Sequence, residues 1–243
     1  MRVIGIIPAR YNSSRFPGKP LADIMGMSMI QRVYEQASKC KLLNKVIVAT
    51  DDERISFHVK SFGGTVMITS KKHESGTDRC GEVVEKLEEH FDIIVNIQGD
   101  EPFIDPQQIT ELITLFEEQD IKIATLAKKI EDFSVYTNEN KVKVFFDENN
   151  TATSFERKYL LKEEVFNTEE TFKHIGIYAF REDILEKIIH LKPTKKEKEL
   201  NLEQVRWMDH NYNIKVGITD FDPISVDQME DIKKISRSHL KNN

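Results

Sequence analysis

Cysteine and long apolar runs are scarce in this sequence, and each shortage excludes a class of protein. Only Cys40 and Cys80 occur among 243 residues, and neither belongs to a Cys-x-x-Cys pair or a Cys/His spacing suited to zinc. We therefore expect no disulfide framework and a reducing, cytoplasmic location. No apolar run approaches the roughly 20 residues that span a bilayer, and Val3–Ile7 is too short for a signal peptide. The sequence predicts no membrane partner.

Excess positive charge and the common nucleotide-binding fingerprints are also missing. The formal net charge is −6, which argues against a protein that binds nucleic acid mainly through phosphate contacts. No Gly-x-Gly-x-x-Gly stretch and no Gly-Lys-Ser/Thr ending of a P-loop are present, so dinucleotide-binding and P-loop interpretations lose their main support. We expect neither a nucleic-acid partner nor a nicotinamide cofactor.

Short apolar runs alternate with amphipathic segments in the first half of the chain. This alternation predicts βαβ units, and therefore an α/β fold with a mostly parallel, Rossmann-like sheet. The middle of the chain alternates apolar and polar residues instead, which predicts an antiparallel extension of the sheet. The predicted strands of that extension are Lys122–Ile130, Lys141–Phe146 and Phe172–Phe180. Helices are expected at Thr77–His90, Glu182–His190, Glu199–Asn211 and Gln228–Leu240, and the lysine cluster Lys192–Lys198 is expected in a solvated loop.

Ligands of parallel α/β sheets bind beyond the carboxyl ends of the strands, where three loops carry unusual residues. The loop after the first strand, Pro8–Leu21, contains three cations within ten residues, Arg10, Arg15 and Lys19. A triphosphate requires several converging positive donors, and arginine supplies bidentate contacts. This loop therefore predicts a polyphosphate site.

A carboxylate follows the fourth predicted strand, at Asp100 in the stretch Gln98–Pro102. Magnesium takes oxygen ligands and bridges phosphates, so a carboxylate beside a basic loop predicts a Mg²⁺ site. The alternative is an ordinary Gly-Asp turn shaped by proline. The loop Ser75–Arg79 contains a serine and a threonine ahead of a predicted helix. A helix cap, with Thr77 as the candidate, explains them as well as a ligand contact does.

Five stretches resemble, in the same order, the 3-deoxy-manno-octulosonate cytidylyltransferases, also called CMP-Kdo synthetases. They are Pro8–Leu21, His73–Arg79, Asn96–Pro102, His174–Tyr178 and Leu202–Trp207. The resemblance covers nearly the whole chain and implies a fold of the nucleotide-diphospho-sugar transferase type. It implies one domain, 1–243, with a nucleotide-binding core at about 1–120 and 212–243. The remaining residues, about 121–211, would form a sugar-binding and dimerisation lobe.

The resemblance also implies roles for particular residues. Nucleotide contacts are expected from Ala9, Arg10, Ser13, Arg15, Lys19, Ser75, Arg79 and Gln98. Contacts with the sugar are expected from Gln98, Arg157, His174, Tyr178, Glu203 and Gln204. The expected catalytic residues are Arg10, Lys19, Asp100 and Asp227, with Asp100 and Asp227 as magnesium ligands. Without the resemblance, His174 could be a core residue and Glu203 part of a solvated helix face.

The residues around Asp227, though not Asp227 itself, and the segment after Arg157 depart from the expected pattern of the family. Asp227 by itself could be a helix N-cap, and Ser225 stands where the family usually has glycine. The usual proline-rich segment is replaced by 158–161, close to the expected sugar site. The resemblance implies that CTP and Kdo give CMP-Kdo and pyrophosphate in a homodimer that serves lipopolysaccharide synthesis. Another acidic keto-sugar, such as 8-amino-Kdo or a sialic acid, and a non-catalytic nucleotide-binding regulator are the alternatives.

Overall fold

The structure is a computed structural model, and it forms two compact units. Residues 1–12, 16–158, 163, 166–168, 170–222, 224–226, 228–233 and 235 are described. Unit 1 contains Met1–Ile109 and Pro223–Asn243, and unit 2 contains Thr110–Asp222. The assignment of the chain to one domain with a core and a lobe stays a prediction.

Unit 1 is built on a parallel sheet whose strands follow the predicted alternation with helices. Its elements are β1 (Val3–Ala9), β2 (Asp23–Ile24), β3 (Met27–Ser28), α1 (Met29–Ser38), β4 (Lys45–Thr50), α2 (Glu53–Ser61), β5 (Val66–Ile68), α3 (Gly76–Lys86) and β6 (Ile93–Asn96). The sheet order is β6-β1-β4-β5, and β1 is parallel to both of its neighbours. Nearly all of β1 and β6 is buried, as expected for parallel strands with both faces covered.

Unit 2 carries a mixed sheet. The helix α4 (Pro106–Thr114) contains the boundary between the units, and the elements that follow are β7 (Ile123–Lys129), α5 (Phe133–Thr137), β8 (Lys143–Phe146), β9 (Ala152–Glu156), β10 (Phe172–Arg181), α6 (Glu182–Ile188), α7 (Lys195–Leu200), α8 (Glu203–Asp209) and β11 (Ile214–Ile218). Strand β11 is parallel to β7, whereas β10 is antiparallel to β7 and β8, and β8 is antiparallel to β9. The predicted α/β class, with a mostly parallel sheet and antiparallel strands, is confirmed.

The predicted helix Glu199–Asn211 is wrong, because the chain breaks there into α7 and α8. Asn201 has a φ of 52°, so α7 ends in the left-handed conformation that asparagine tolerates. The prediction of a loop across the lysine cluster is also wrong, because α7 begins inside that cluster. Thr194 and Glu197 form a reciprocal capping box that starts α7.

Two other helix predictions differ from the structure. Helix α3 ends at Lys86 rather than His90, and Leu87 is already extended. Of the last predicted helix, residues 229–233 and 235 are helical, and residues 234 and 236–240 lie outside the described part of the chain. Within the described residues, no helix is both long and apolar enough to cross a membrane.

Candidate functional site

A cavity of about 260 Å³ in unit 1 collects the three loops that the sequence singled out. It is lined by Pro8, Ala9, Arg10, Lys19, Pro20, His73, Glu74, Ser75, Gly76, Arg79, Gln98, Gly99 and Asp100. These residues end or follow β1, β5 and β6, whose carboxyl ends share one edge of the parallel sheet. Six of the eight predicted nucleotide contacts lie here, and the other two, Ser13 and Arg15, lie outside the described residues.

Glycine allows two of these loops to approach β1 closely. A Cβ atom at Gly99 would stand 2.7 Å from the carbonyl oxygen of Pro8, a separation that real Cβ atoms do not adopt. At Gly76 it would stand 3.3 Å from Cγ of Pro8. The loop that carries Asp100 therefore lies directly against the start of the basic loop because residue 99 has no side chain.

The basic loop and the carboxylate loop are joined by an ion pair. Lys19 Nζ donates a 2.7 Å hydrogen bond to Asp100 Oδ2, and their side chains are 13% and 36% exposed. Lys19 is placed by a 3-10 turn, Lys19–Leu21, which follows Gly18 in the left-handed conformation with a φ of 73°. A cation and a carboxylate thus face the same cavity, where a phosphate or a metal ion can compete for either of them.

A packing arrangement that the sequence did not reveal holds the base of the basic loop. The Gly18 amide donates a 2.9 Å hydrogen bond to the Tyr11 carbonyl. The guanidinium carbon of Arg54 lies 3.3 Å from the centroid of the Tyr11 ring, and Arg54 is fixed by two hydrogen bonds to Asp52 at 2.9 and 2.7 Å. Tyr11 and Arg54 are 43 positions apart in the sequence, and no motif connects them.

Helix α3 directs its amino terminus at the cavity. Ser75, and not Thr77, is the N-cap, and Ser75 and Asp78 form a capping box. Ser75 and Gly76 line the cavity, so the partial positive charge of an eleven-residue helix faces it. Backbone amides at such a terminus suit a phosphate group.

Arg79 lies at the cavity wall with its guanidinium group held by the protein. It is 3% exposed and donates to Thr69 Oγ1 at 2.6 Å, to the Ser70 carbonyl at 3.2 Å and to Asp51 Oδ2 at 3.2 Å. These bonds join α3 to the ends of β4 and β5. The contact of Arg79 with a nucleotide stays a prediction, beside this evident structural role.

Glu82 is another residue whose contribution to the site the sequence did not reveal. It accepts hydrogen bonds from the Ser70 amide at 2.7 Å and from His73 Nε2, and it pairs with Lys86 at 2.6 Å. Burial alone would raise the pKa of Glu82, but hydrogen bonds from Lys86, Ser70 and His73 outweigh it and lower the pKa to about 2. Glu82 thereby fixes the ring of His73, which lines the cavity.

Asp100 is also tied to the segment that precedes Asp227. The Val226 amide donates a 3.0 Å hydrogen bond to the Asp100 carbonyl, and Val226 is fully buried with Phe16, Ile24 and Met29. Asp227 itself lies outside the described residues. Among the residues that are described, no group of three His, Cys, Asp or Glu side chains is arranged to hold a metal ion.

The predicted sugar residues other than Gln98 belong to unit 2, where aromatic rings bring two of them together. The ring centroids of His174 and Tyr178 are 5.3 Å apart. Tyr178 also contacts Trp207 edge-on at 5.0 Å, and Phe155 contacts His174 edge-on at 5.1 Å. Burial, with a smaller contribution from the charge of Glu203, raises the pKa of Tyr178 well above its usual value.

The other predicted sugar residues lie on or beside α7 and α8. Arg157 donates to the carbonyls of Leu200 and Asn201 at 2.9 and 3.2 Å, at the carboxyl end of α7 where positive charge is favourable. Glu203 begins α8, and Gln204 beside it is 5% exposed.

The parallel sheet, with its cavity of cations, small residues and the two carboxylates of Glu74 and Asp100, defines an α/β nucleotidyltransferase. Residues 4–216 match the cytidylyltransferase family. Proteins named 3-deoxy-manno-octulosonate cytidylyltransferase are 48% identical in Parabacteroides distasonis, over 96% of both chains, and 45% identical in Bacteroides thetaiotaomicron, over 100% of this chain and 99% of the other. A solved CMP:2-keto-3-deoxy-manno-octonic acid synthetase complexed with CTP is 36% identical, with full coverage of both chains and a TM-score of 0.92. The chain belongs to the cytidylyltransferase family, and within it to the 3-deoxy-manno-octulosonate cytidylyltransferases.

A more distant structural likeness extends to the fold alone. The 4-diphosphocytidyl-2C-methyl-D-erythritol synthase of Anaerococcus prevotii has a TM-score of 0.64 over 99% of each chain, at 14% identity.

Proposed function

We propose that the protein transfers CMP from CTP to 3-deoxy-D-manno-octulosonate, giving CMP-Kdo and pyrophosphate. One observation carries the proposal: the cavity brings Arg10, Lys19, the amino terminus of α3 and Asp100 together, in a chain 42–48% identical to cytidylyltransferases of that name. In this reaction the anomeric hydroxyl of the sugar loses its proton to solvent as its oxygen bonds to the α-phosphorus. The bond from that phosphorus to the oxygen that bridges to the β-phosphate breaks, and pyrophosphate leaves.

The residues of the chain act by positioning and by charge, since such a transfer needs no covalent intermediate. Arg10 and Lys19 bind the triphosphate and stabilise the negative charge that develops on the departing pyrophosphate. Arg15, in the same loop, is proposed to add a third cation, and Ser13 a hydroxyl donor. Ala9 and Gln98 line the cavity beside them and are proposed to contact the nucleotide.

Asp100 suits a magnesium ion that arrives with CTP. Magnesium retains several waters and needs only one or two protein carboxylates in addition to phosphate oxygens, and the Asp100 carboxylate faces the cavity while remaining 36% exposed. Asp227 follows Val226, whose amide binds Asp100, which supports it as the second carboxylate. A bound Mg²⁺ would neutralise charge on the triphosphate and lower the pKa of the attacking hydroxyl.

The sugar is proposed to contact Gln98, Arg157, His174, Tyr178, Glu203 and Gln204. Arg157 is the proposed partner of the sugar carboxylate, because a guanidinium group binds a carboxylate through two parallel hydrogen bonds. The aromatic contacts among His174, Tyr178 and Trp207 supply the rigid support that directed hydrogen bonds to hydroxyl groups require.

The cellular setting is proposed from the family resemblance: a cytoplasmic homodimer that serves lipopolysaccharide synthesis. Light scattering on the purified chain tests the dimer. A mass of twice 28.3 kDa is expected, and a particle of 28.3 kDa would contradict it.

Pyrophosphate release from CTP in the presence of different acceptors tests the proposed reaction. We expect rapid release with Kdo, much slower release with 8-amino-Kdo or a sialic acid, and none without an acceptor. Pyrophosphate release with only one of the other sugars would show that this sugar, and not Kdo, is the substrate. Absence of release with all of them, despite binding of CTP, would favour the nucleotide-binding regulator and contradict the proposed enzyme.

A further inference from the structure

A buried hydroxyl group in unit 2, that of Thr125, contacts the imidazole ring of His174. Thr125 lies on β7 opposite Tyr178 of β10 and is fully buried. Its Oγ1 atom lies 3.0 Å from His174 Nε2, 3.1 Å from the Ile175 carbonyl oxygen and 2.8 Å from the Ile177 carbonyl oxygen. The pairing register of β10 shifts between Ile175 and Tyr178, at the position where these three contacts meet.

The chemistry of the neighbours decides where the protons lie, and the Tyr178 hydroxyl, which also interacts with the Thr125 side chain, brings a proton of its own. A hydroxyl group has one proton, and carbonyl oxygens can only accept. If Thr125 donated to His174, its oxygen would face two carbonyl oxygens at 2.8 and 3.1 Å with no proton between them. The favourable arrangement sends the Thr125 proton to the carbonyls, so the remaining contact must be His174 Nε2–H donating to Oγ1.

His174 is neutral in this environment. Its packed surroundings lower the pKa of its imidazole to about 3, because the interior disfavours the charged form, although His174 as a whole stays partly exposed. A neutral imidazole carries a single N–H, and a proton on Nε2 leaves a lone pair on Nδ1. Phe155 and Tyr178 pack against the ring at 5.1 and 5.3 Å and restrict its rotation.

We propose that Thr125 is a positioning residue that fixes His174 as the Nε2–H tautomer, so that Nδ1 accepts a hydrogen bond from a hydroxyl group of the acidic sugar. The sugar contact rests on the proposed function, whereas the tautomer does not. An acceptor at Nδ1 selects a hydroxyl donor and repels a carboxylate oxygen. The two groups of an acidic sugar are thereby kept apart, with its carboxylate left to Arg157.

The tautomer is measured directly by NMR on the full chain labelled with ¹⁵N-histidine. The sequence has seven histidines, and the spectrum of His174→Gln identifies the signal of His174. We expect a protonated Nε2 and an unprotonated Nδ1, with no titration around neutral pH. A proton on Nδ1, or a charged ring, would overturn the proposal.

Two variants of Thr125 separate the hydroxyl group from the packing of the side chain. Thr125→Val removes the hydroxyl at nearly constant shape, and Thr125→Ser keeps it. We expect Thr125→Val to lose the fixed tautomer and to raise KM for Kdo about tenfold, the usual effect of one lost hydrogen bond, with KM for CTP unchanged. Thr125→Ser should retain the tautomer and stay close to the unsubstituted protein.

Each other outcome is decisive. If Thr125→Val keeps both the tautomer and the KM for Kdo, or if Thr125→Ser is impaired as much as Thr125→Val, the proposed role of Thr125 is wrong. Should Thr125→Val fail to fold, the spectrum of the unsubstituted protein still tests the tautomer of His174, and the Thr125→Ser kinetics still test the role of the hydroxyl group. If the chain is inert with every sugar, the proposed function fails, while the tautomer of His174 is confirmed or rejected by the spectra alone.

Discussion

At the scale of single residues, the cavity depends on ion pairs that a ligand can open. The 2.7 Å pair of Lys19 and Asp100 is partly exposed, and such pairs contribute only about 0–1 kcal/mol to stability. Their value lies in placing a cation and a carboxylate at one cavity before a ligand arrives. Glu82 differs, because its hydrogen bonds hold His73 and the Ser70 backbone in place.

The pKa of Glu82 predicts a specific pH dependence of stability. Because the pKa is about 2 in the folded protein and 4.5 is its ordinary value, ionised Glu82 stabilises the fold above about pH 4.5. That contribution falls as the pH drops from 4.5 towards 2. Urea unfolding of Glu82→Gln should therefore show a lower free energy of unfolding than the unsubstituted protein at neutral pH. The difference should shrink towards pH 2.

The control for that series is Glu85→Gln, an exposed position on the same helix. Its free energy of unfolding should equal that of the unsubstituted protein at every pH. A Glu82→Gln curve parallel to that of the unsubstituted protein down to pH 2 would show that its carboxylate is not held in this way.

The sequence predicts the convergence of Arg10, Lys19 and Asp100 because each follows a strand at the ligand-binding edge of a parallel sheet. It does not predict the contacts of Tyr11 with Arg54 or of Thr125 with His174. Those contacts join segments that are distant in sequence, and a tyrosine, a threonine or a surface arginine carries no signal of its own. The sequence also supports the two predicted magnesium ligands unequally. Asp100 is supported by its position at the end of a strand, whereas Asp227 depends on the family resemblance.

At the scale of secondary-structure elements, α3 combines a structural cap with a binding surface. Ser75 accepts a hydrogen bond from the Asp78 amide and lines the cavity. Substitutions at Ser75 can separate the two roles, since aspartate caps helices as well as serine does.

Ser75→Ala should lower the free energy of unfolding by about 1 kcal/mol, the usual loss for an N-cap. Ser75→Asp should keep that stability but raise KM for CTP, because its carboxylate would face the triphosphate. Denaturant unfolding and initial-rate kinetics measure the two effects.

Ser28→Ala is the matched control, because Ser28 caps α1 and is not among the residues that line the cavity. It should lose stability without a change in KM for CTP. Unchanged CTP kinetics in Ser75→Asp would place the triphosphate away from the amino terminus of α3.

The break between α7 and α8 shows why element boundaries were harder to predict than element types. Leu202 and Val205 are three residues apart, a helical spacing, so periodicity alone does not reveal that a helix ends at Leu200. The chain reverses to a positive φ at Asn201, and asparagine is ordinary in helices as well as in such caps. Thr194 and Glu197 carry a capping signature, but the run of lysines around them favours a solvated loop.

At the scale of the whole molecule, the two units divide the predicted roles. The described nucleotide residues all belong to unit 1, and the sugar residues other than Gln98 belong to unit 2. The net charge of −6 favours partners that are small and bound at local clusters of cations, in preference to long polyanions. Arg10 and Lys19 are such cations, and both line the cavity where CTP is proposed to bind.

In the proposed function, transfer of CMP to Kdo depends on the unit 1 cavity, with Asp100 as a magnesium ligand. The most direct measurement is pyrophosphate release by the full chain from CTP and Kdo as the magnesium concentration varies. The unsubstituted protein is compared with Asp100→Asn, with Asp227→Asn, and with Asp120→Asn at an exposed turn as the control of equal charge.

We expect the unsubstituted protein and Asp120→Asn to reach the same turnover at saturating magnesium. Asp100→Asn and Asp227→Asn should remain folded by circular dichroism but lose about a hundredfold or more in turnover, since a metal ligand supplies several kcal/mol of charge stabilisation. Near-normal turnover of Asp100→Asn with an unchanged magnesium dependence would contradict the account.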